Sequence, residues 1–316
     1  MPEKAFQTEH LTADAAGIAR AAQLLGQGLC VAFPTETVYG LGADARDSRA
    51  VAGIYAAKDR PSFNPLIVHV ASLDQALRLA VFDDQAERLA AAFWPGALTL
   101  VLPLRPGAGL SDLVTAGLAT VGLRMPAHPV AQALLAAFDG PVAAPSANPS
   151  GRISPTRAAH VAAGLDGRIA AILDGGGSPV GLESTILAPG TPPRLLRPGG
   201  IPPEAIAACL GQPLAAPDGP DIAAPGMMDS HYAPAARVRL NAITAQPGEW
   251  LIGFGAVAGD DNLSLTGDLA EAASALFAAL HRADASTRPI AVAPIPDHGL
   301  GLAINDRLRR AAAPRG

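Results

Sequence analysis

Five short polar segments in this chain of 316 residues each sit beside an apolar stretch, and their side chains share one chemistry. The first is Phe33-Pro34-Thr35-Glu36-Thr37-Val38-Tyr39-Gly40. The second is Lys58-Asp59-Arg60-Pro61, with Asn64-Pro65-Leu66-Ile67-Val68-His69 just downstream. The third is Ala144-Pro145-Ser146-Ala147-Asn148, followed by Arg152, Ser154 and Thr156. Glu183-Ser184-Thr185-Ile186 and Leu196-Arg197-Pro198-Gly199 complete the set. Lys and Arg supply permanent charge, while Ser, Thr and Asn supply hydrogen bonds, a combination suited to a polyanion. One such turn alone is an ordinary surface feature.

Other chemistries find no footing. No GxxxxGK[ST] loop is present. Gly253 to Ala258 fits GxGxxA, but Gly259-Asp260-Asp261-Asn262 reads as a loop where a dinucleotide site needs a helix, so a tight turn is expected. Gly175-Gly176-Gly177 likewise reads as a turn. The histidines form no HxxxH or HExxH pair and no serine lies in a GxSxG elbow, so neither a protein-held metal nor a hydrolytic triad is indicated. Cys30 and Cys209 belong to no CxxC pair and are read as two buried thiols of a reducing cytosol.

The elements that must hold these segments alternate. Helical spacing runs from Asp14 to Leu25, Ser48 to Ala57, Leu73 to Ala80, Ala86 to Phe93 and Pro129 to Ala137. Apolar stretches at Leu29–Phe33, Leu66–Val70, Leu98–Leu102, Thr120–Leu123, Val142–Ala144, Ser184–Leu187 and Arg194–Leu196 read as strands, with another ending at Leu173. The pattern implies an α/β fold with a twisted sheet. Gln212 to Gly226 holds four prolines and no period, and reads as a linker. Beyond it come strands at Arg237–Leu240, Trp250–Phe254 and Ile290–Ala293 and helices at Leu269–His281 and Leu302–Ala312, enough for a second small α/β domain.

Composition bounds the rest. Hydrophobic residues at 49% can fill a large core, and 33 Gly with 30 Pro exclude an all-helical bundle. No apolar run reaches the roughly 18 residues of a membrane helix, and no signal pattern opens the chain, so the expected location is cytoplasmic. A net charge of −5 and 4% aromatics disfavour direct RNA binding as the main role.

Taken in order, the segments resemble the YrdC/Sua5 family of threonylcarbamoyl-AMP synthases. FPTETVYGLG, the KxRP turn, NPLIVH, WPGALT, VGLRMPAHP, APSANPSG, ESTI and LLRPG all match, as do PGMMDSHYAP and GLGLAINDRLRRA. The likeness covers nearly the whole chain and picks out the long, two-domain Sua5 form. It implies a YrdC-like catalytic domain at 1–210, a Pro-rich linker acting as a lid at 211–235, and a Rossmann-like C-terminal domain at 236–316. The implied reaction joins L-threonine, bicarbonate or CO2 and ATP into threonylcarbamoyl-AMP and pyrophosphate. That product serves the t6A modification of tRNA, through a tRNA threonylcarbamoyl-transferase machinery. Mg2+ would come with ATP, with no metal site of the protein's own.

Residue by residue, the resemblance implies a catalytic set of Lys58, Arg60, Ser146 and Asn148. Threonine recognition falls on Thr35, His69, Arg124 and Ser184; Arg124 suits the α-carboxylate, and Thr35 or Ser184 the hydroxyl. Nucleotide contacts extend from Lys58 and Ser146 to Thr115, Ser154, Arg197 and Tyr232. Met227, His231 and Tyr232 would form the lid, with Met228-Asp229-Ser230 less basic than the family's usual stretch. A different carbamoyl transfer, as in hydrogenase-maturation proteins, would need zinc-finger cysteines that two cysteines cannot supply.

Overall fold

The computed structural model describes residues 7–60, 64–216 and 231–314, and within them two sheets form. The larger has ten strands: β1 (Glu9–Thr12), β2 (Val31–Phe33), β3 (Gly40–Asp44), β4 (Ile67–His69), β5 (Leu98–Pro103), β6 (Thr120–Arg124), β7 (Val142–Ala143), β8 (Ala171–Asp174), β9 (Thr185–Ala188) and β10 (Arg194–Arg197). Their order is β1-β8-β2-β3-β7-β4-β6-β5-β9-β10. Parallel pairs such as β4–β6 stand beside antiparallel ones such as β2–β3, so the sheet is mixed.

Eight helices accompany it: α1 (Ala15–Gly26), α2 (Ser48–Lys58), α3 (Leu73–Leu79), α4 (Asp84–Phe93), α5 (Asp112–Thr115), α6 (Pro129–Phe138), α7 (Ala158–Leu165) and α8 (Pro203–Leu210). Several begin at side-chain caps. Asp14 accepts from the Gly17 amide, Ser72 from Gln75 and Asp83 from Ala86, each satisfying an amide that the first turn leaves open. Strand alternation sorts the core into two layers. Val31 and Phe33 pack with Leu24, Leu25, Leu134 and Leu135 of α1 and α6, while Ala32 between them packs with Ile54, Leu89 and Val161 on the other face. Helices therefore cover both faces.

The smaller sheet is parallel throughout. It contains β11 (Val238–Arg239), β12 (Trp250–Gly253), β13 (Asp261–Asn262) and β14 (Ile290–Val292), in the order β11-β14-β12-β13. Helices α9 (Leu269–Ala285) and α10 (Leu300–Ala312) pack against it through Leu276, Phe277, Leu280, Ile304 and Leu308. Its apolar cluster also takes in Val38, Ile153 and Leu182 from the larger unit, so the two units share one core.

Six elements, β1, β3, α5, α7, α8 and β13, go beyond what the sequence pattern predicts, β13 lying where a loop was expected. β3 reads Gly-Leu-Gly-Ala-Asp, and glycine weakens strands in general, yet here it is required. A Cβ on Gly42 would lie 2.8 Å from the Phe33 ring and 2.9 Å from Val142. Of the two cysteines, Cys30 is buried as expected, but Cys209 on α8 is only half-buried. The Gly253 turn does end a strand, with Phe254 bridged to Val257.

Candidate functional site

The five polar segments meet around an open cleft where β2, β4, β6 and β10 end and β9 begins. Its walls include Thr35, Thr37, Gly40, Arg60, His69, Arg124, Ser146, Glu183, Ser184 and Arg197, and His231 and Tyr232 close one side. Three arginines in one buried space need compensation, since an unpaired buried charge costs several kcal/mol. The structure supplies it in different ways for each.

Arg124 leaves the end of β6 and spends its guanidinium on the first segment. Nε donates to the Gly96 carbonyl at 3.1 Å, one terminal nitrogen to Thr37 Oγ1 at 2.8 Å and the other to Glu36 Oε1 at 2.5 Å. The second Glu36 oxygen accepts from the Ala127 amide. A guanidinium has five N–H groups, so each terminal nitrogen of Arg124 retains one for a ligand. Thr35 shapes the turn that makes this possible: its hydroxyl donates to the Val38 carbonyl at 2.6 Å and accepts from the Val38 amide.

Arg197 donates to the Ser184 carbonyl at 2.9 Å, and Ser184 Oγ lies 2.7 Å from Thr99 Oγ1. Arg60 donates to the Pro65 carbonyl at 3.2 Å, while its Nε has no partner. Burial lowers the Arg60 pKa to about 10, with Tyr55 and Tyr232 opposing. His69 is buried at the end of β4, where burial and then Arg124 pull it down to about 3. It is thus a neutral imidazole at pH 7, and its Nδ1 is unpartnered. His231 is lowered to about 3 by burial, with Glu183 opposing, and its Nδ1 and the Tyr232 hydroxyl are also unpartnered. Buried polar atoms are normally satisfied, so this concentration around one cleft is the mark of a ligand site.

Four of the residues expected at the site do not line this cleft. Lys58, at the end of α2, is buried outside the cleft wall and donates to the carbonyls of Ser146 and Asn148. It thereby fixes the third segment. Asn148 donates to the Pro149 and Arg152 carbonyls at 2.9 Å each, holding the following turn. Ser154 donates to Glu183 Oε1 at 2.5 Å. Thr115 lines a second, smaller cavity of about 300 Å3, which shares Ile67 with the cleft. Of the expected lid, His231 and Tyr232 are at the cleft, and Met227 to Ser230 lie outside the described residues, as does Pro61.

Sequence reasoning passed over Glu36, Glu183 and Arg307. Arg307 is wholly buried in α10, and its Nε is 2.8 Å from Glu183 Oε2. Burial pushes the Glu183 carboxyl up, but Arg307, Arg197 and the Ser154 hydrogen bond outweigh it and hold the pKa below the ordinary value. Tyr232 sits at φ 62°, a left-handed conformation that few non-glycine residues adopt. The Ala233 amide donates to the Gly151 carbonyl at 2.8 Å, and the Tyr232 ring lies 5.7 Å from that of Phe277. The closing segment is therefore anchored to both units.

Comparison with known proteins agrees with this architecture. The Sua5/YciO/YrdC family model, described as telomere recombination, matches residues 23–199. A second, described as the C-terminal domain of threonylcarbamoyl-AMP synthase, matches residues 201–313. The threonylcarbamoyl-AMP synthase of Bacillus subtilis is 45% identical over 98% of this chain and 96% of its own length. That of Pyrococcus abyssi is 43% identical over 93% of this chain and 94% of its own. The crystal structure of P. abyssi Sua5 complexed with L-threonine superposes with a TM-score of 0.88 at 40% identity, covering 96% of this chain and 97% of that one. With both domains of the long form matched end to end, the chain belongs to the Sua5/YciO/YrdC family.

Proposed function

We propose that the chain is a threonylcarbamoyl-AMP synthase, joining L-threonine, CO2 or bicarbonate and ATP and releasing pyrophosphate. The observation that carries this is the convergence of Arg60, Arg124 and Arg197 on one cleft, where the lining carboxylate Glu183 and Glu36 behind Arg124 are each already paired to an arginine. The cleft thus keeps cationic capacity for a substrate carboxylate and for phosphates. P. abyssi Sua5, which binds L-threonine, shares the whole fold.

In this reading the two N–H groups left on Arg124 hold the threonine carboxylate, and Thr35 or Ser184 meets its hydroxyl. His69, with a pKa near 3, is too weak a base to take a proton at pH 7, so its part is a neutral hydrogen bond. The amine adds to CO2 as a carbamate, losing a proton; from bicarbonate the same step releases water. A carbamate oxygen then bonds to the α-phosphorus of ATP as the bond to the β-phosphate oxygen breaks. Negative charge gathers on the phosphate oxygens, where Arg60 and Arg197 stabilise it. Ser146 and Asn148 frame the adenylate, held by Lys58 from behind, with Ser154 and Thr115 in support. Positioning supplies much of the acceleration.

Among the described residues, no group of three or more His, Cys, Asp or Glu could hold a metal ion. With Glu36 and Glu183 committed to arginines, the cleft does not fit a protein-held cation, and Mg2+ would enter as part of the ATP substrate. We assign residues 1–210 to catalysis, 211–235 to a lid and 236–316 to its support. Lid closure would keep water from the labile adenylate. The product would pass to the tRNA-modifying transferase in the cytoplasm, where ATP and tRNA are found. No helix among the described residues is long and apolar enough to cross a membrane.

The test is direct. With ATP, Mg2+ and bicarbonate, the protein should release pyrophosphate only when L-threonine is added, and serine should serve less well. Release without threonine, or none with it, overturns the reading.

A further inference from the structure

A fully buried arginine is costly, so its partners reveal why it is kept. Arg307 comes from α10, in the unit farthest along the chain from the polar segments. It reaches three groups. Nε donates to Glu183 at 2.8 Å, and a terminal nitrogen donates to the Pro198 carbonyl at 2.9 Å and to Asp306 at 2.8 Å. The guanidinium carbon lies 5.2 Å from the centre of the Tyr232 ring, a cation–π distance. Its remaining terminal nitrogen is buried without a partner.

Both main partners stand at or next to the cleft. Glu183 lines it and precedes Ser184, while Pro198 follows Arg197. The two loops that carry them are pressed together: a Cβ on Gly199 would stand 2.4 Å from the Glu183 carbonyl oxygen. Tyr232 is the closing residue. One guanidinium from the last helix therefore cancels a carboxylate inside an anion-binding cleft and seats the ring that covers it.

We propose that Arg307 is a positioning residue for the nucleotide step, neutralising Glu183 beside the phosphates while fixing Tyr232 over them. This rests on the synthase reading above. Without Arg307, the Glu183 carboxylate would face a triphosphate of like charge, and the Tyr232 ring would lose its cation. Threonine recognition, centred on Arg124 and His69, would be spared.

The test measures binding by calorimetry in the full-length protein, with ATP alone and with L-threonine alone, for wild type, Arg307→Met, Glu183→Gln and the double variant. Arg307→Met should weaken ATP binding tenfold or more and leave L-threonine affinity within twofold. Adding Glu183→Gln should restore ATP binding at least threefold relative to Arg307→Met, because the uncancelled charge is gone. Arg307→Gln keeps a donor for the Pro198 carbonyl and is read the same way should the methionine variant fold poorly. Unchanged ATP affinity in these variants, or no recovery in the double variant, overturns the proposal. A wild-type protein that binds neither ligand would instead sink the synthase reading.

Discussion

The imidazole of His160, in α7, stacks on that of His281, in α9, with ring centroids 3.9 Å apart and planes 22° from parallel. The stack joins the two units, and it tolerates neutral rings far better than charged ones. His281 Nε2 lies 3.1 Å from the Ser154 carbonyl, and His160 Nδ1 accepts from the Thr156 amide at 3.3 Å. Burial, His281, Arg157 and Arg282 bring His160 down to about 4. Burial also lowers His281, against the Ser154 carbonyl and Asp284. Folded values below the unfolded 6.5 mean that this stability is present above pH 6.5 and is lost as pH falls through about 4. Melting temperature should therefore drop steeply between pH 6.5 and 4. His69 and His231 act in the same direction. The double variant His160→Gln/His281→Gln should flatten the slope without abolishing it; an identical slope would show that the stack is not titrating.

Glu36 holds Arg124 through one oxygen, while its other oxygen accepts from the Ala127 amide and fixes the carboxylate. Removing one partner of a buried pair usually costs more than the pair itself is worth. Glu36→Gln should weaken L-threonine binding about tenfold, on the scale of a lost charge-assisted hydrogen bond. ATP affinity should change by less than about threefold. Calorimetry with each ligand separately decides it, and equal losses for both would refute a threonine-specific role.

Lys58 is 1% exposed and bridges two backbone carbonyls of the third segment. Burial, with Arg60 nearby, pulls its pKa well below the ordinary lysine value. Lys58→Met would take the lysine donor from both carbonyls, leaving Ser146 with only the Asn148 amide, and would loosen the Ser146–Asn148 turn. Misplacing reacting groups by about 1 Å can cost a hundredfold in rate, so kcat/KM for ATP should fall by about that factor. Lys58→Arg should not rescue it, since the larger head has no room. Near-normal turnover in either variant would count against this positioning role.

Two glycines give a paired stability test. A Cβ at Gly199 would lie 2.4 Å from backbone atoms of Glu183, Ser184 and Thr185, so Gly199→Ala should cost about 2 kcal/mol or more. Gly26 closes α1 with nothing within 4 Å of an added Cβ. Gly26→Ala should stabilise by about 0.5 kcal/mol. Denaturant melts of both variants would check the contrast in sign.

Much of the larger sheet could be read from the chain because its strands are dense apolar runs. Val31–Phe33, Ile67–His69 and Leu98–Pro103 form where those runs lie, within a residue or two. β3 escaped because its glycines answer to contacts with Phe33 and Val142, which no local pattern contains. The site shows the same division. Thr35, Arg60, His69, Ser184 and Arg197 stand in recognisable turns and meet at the cleft. Lys58 and Asn148 stand in equally recognisable turns yet bind backbone behind it. Arg307 lies in a helix with no local signal tying it to the cleft, and the packing of α10 against the Glu183 loop buries it.

The shared core carries a consequence for truncation. Val38, Ile153 and Leu182 are buried in the same cluster as Leu276, Phe277 and Ile304. A fragment stopped at Gly211 would keep the whole ten-stranded sheet but leave those three side chains facing water, directly beside the cleft that Val38 helps to line. Such a fragment would be sticky at the rim of the cleft. A piece that keeps the sheet entire but lacks the smaller unit is thus prone to self-association, unless those positions are made polar.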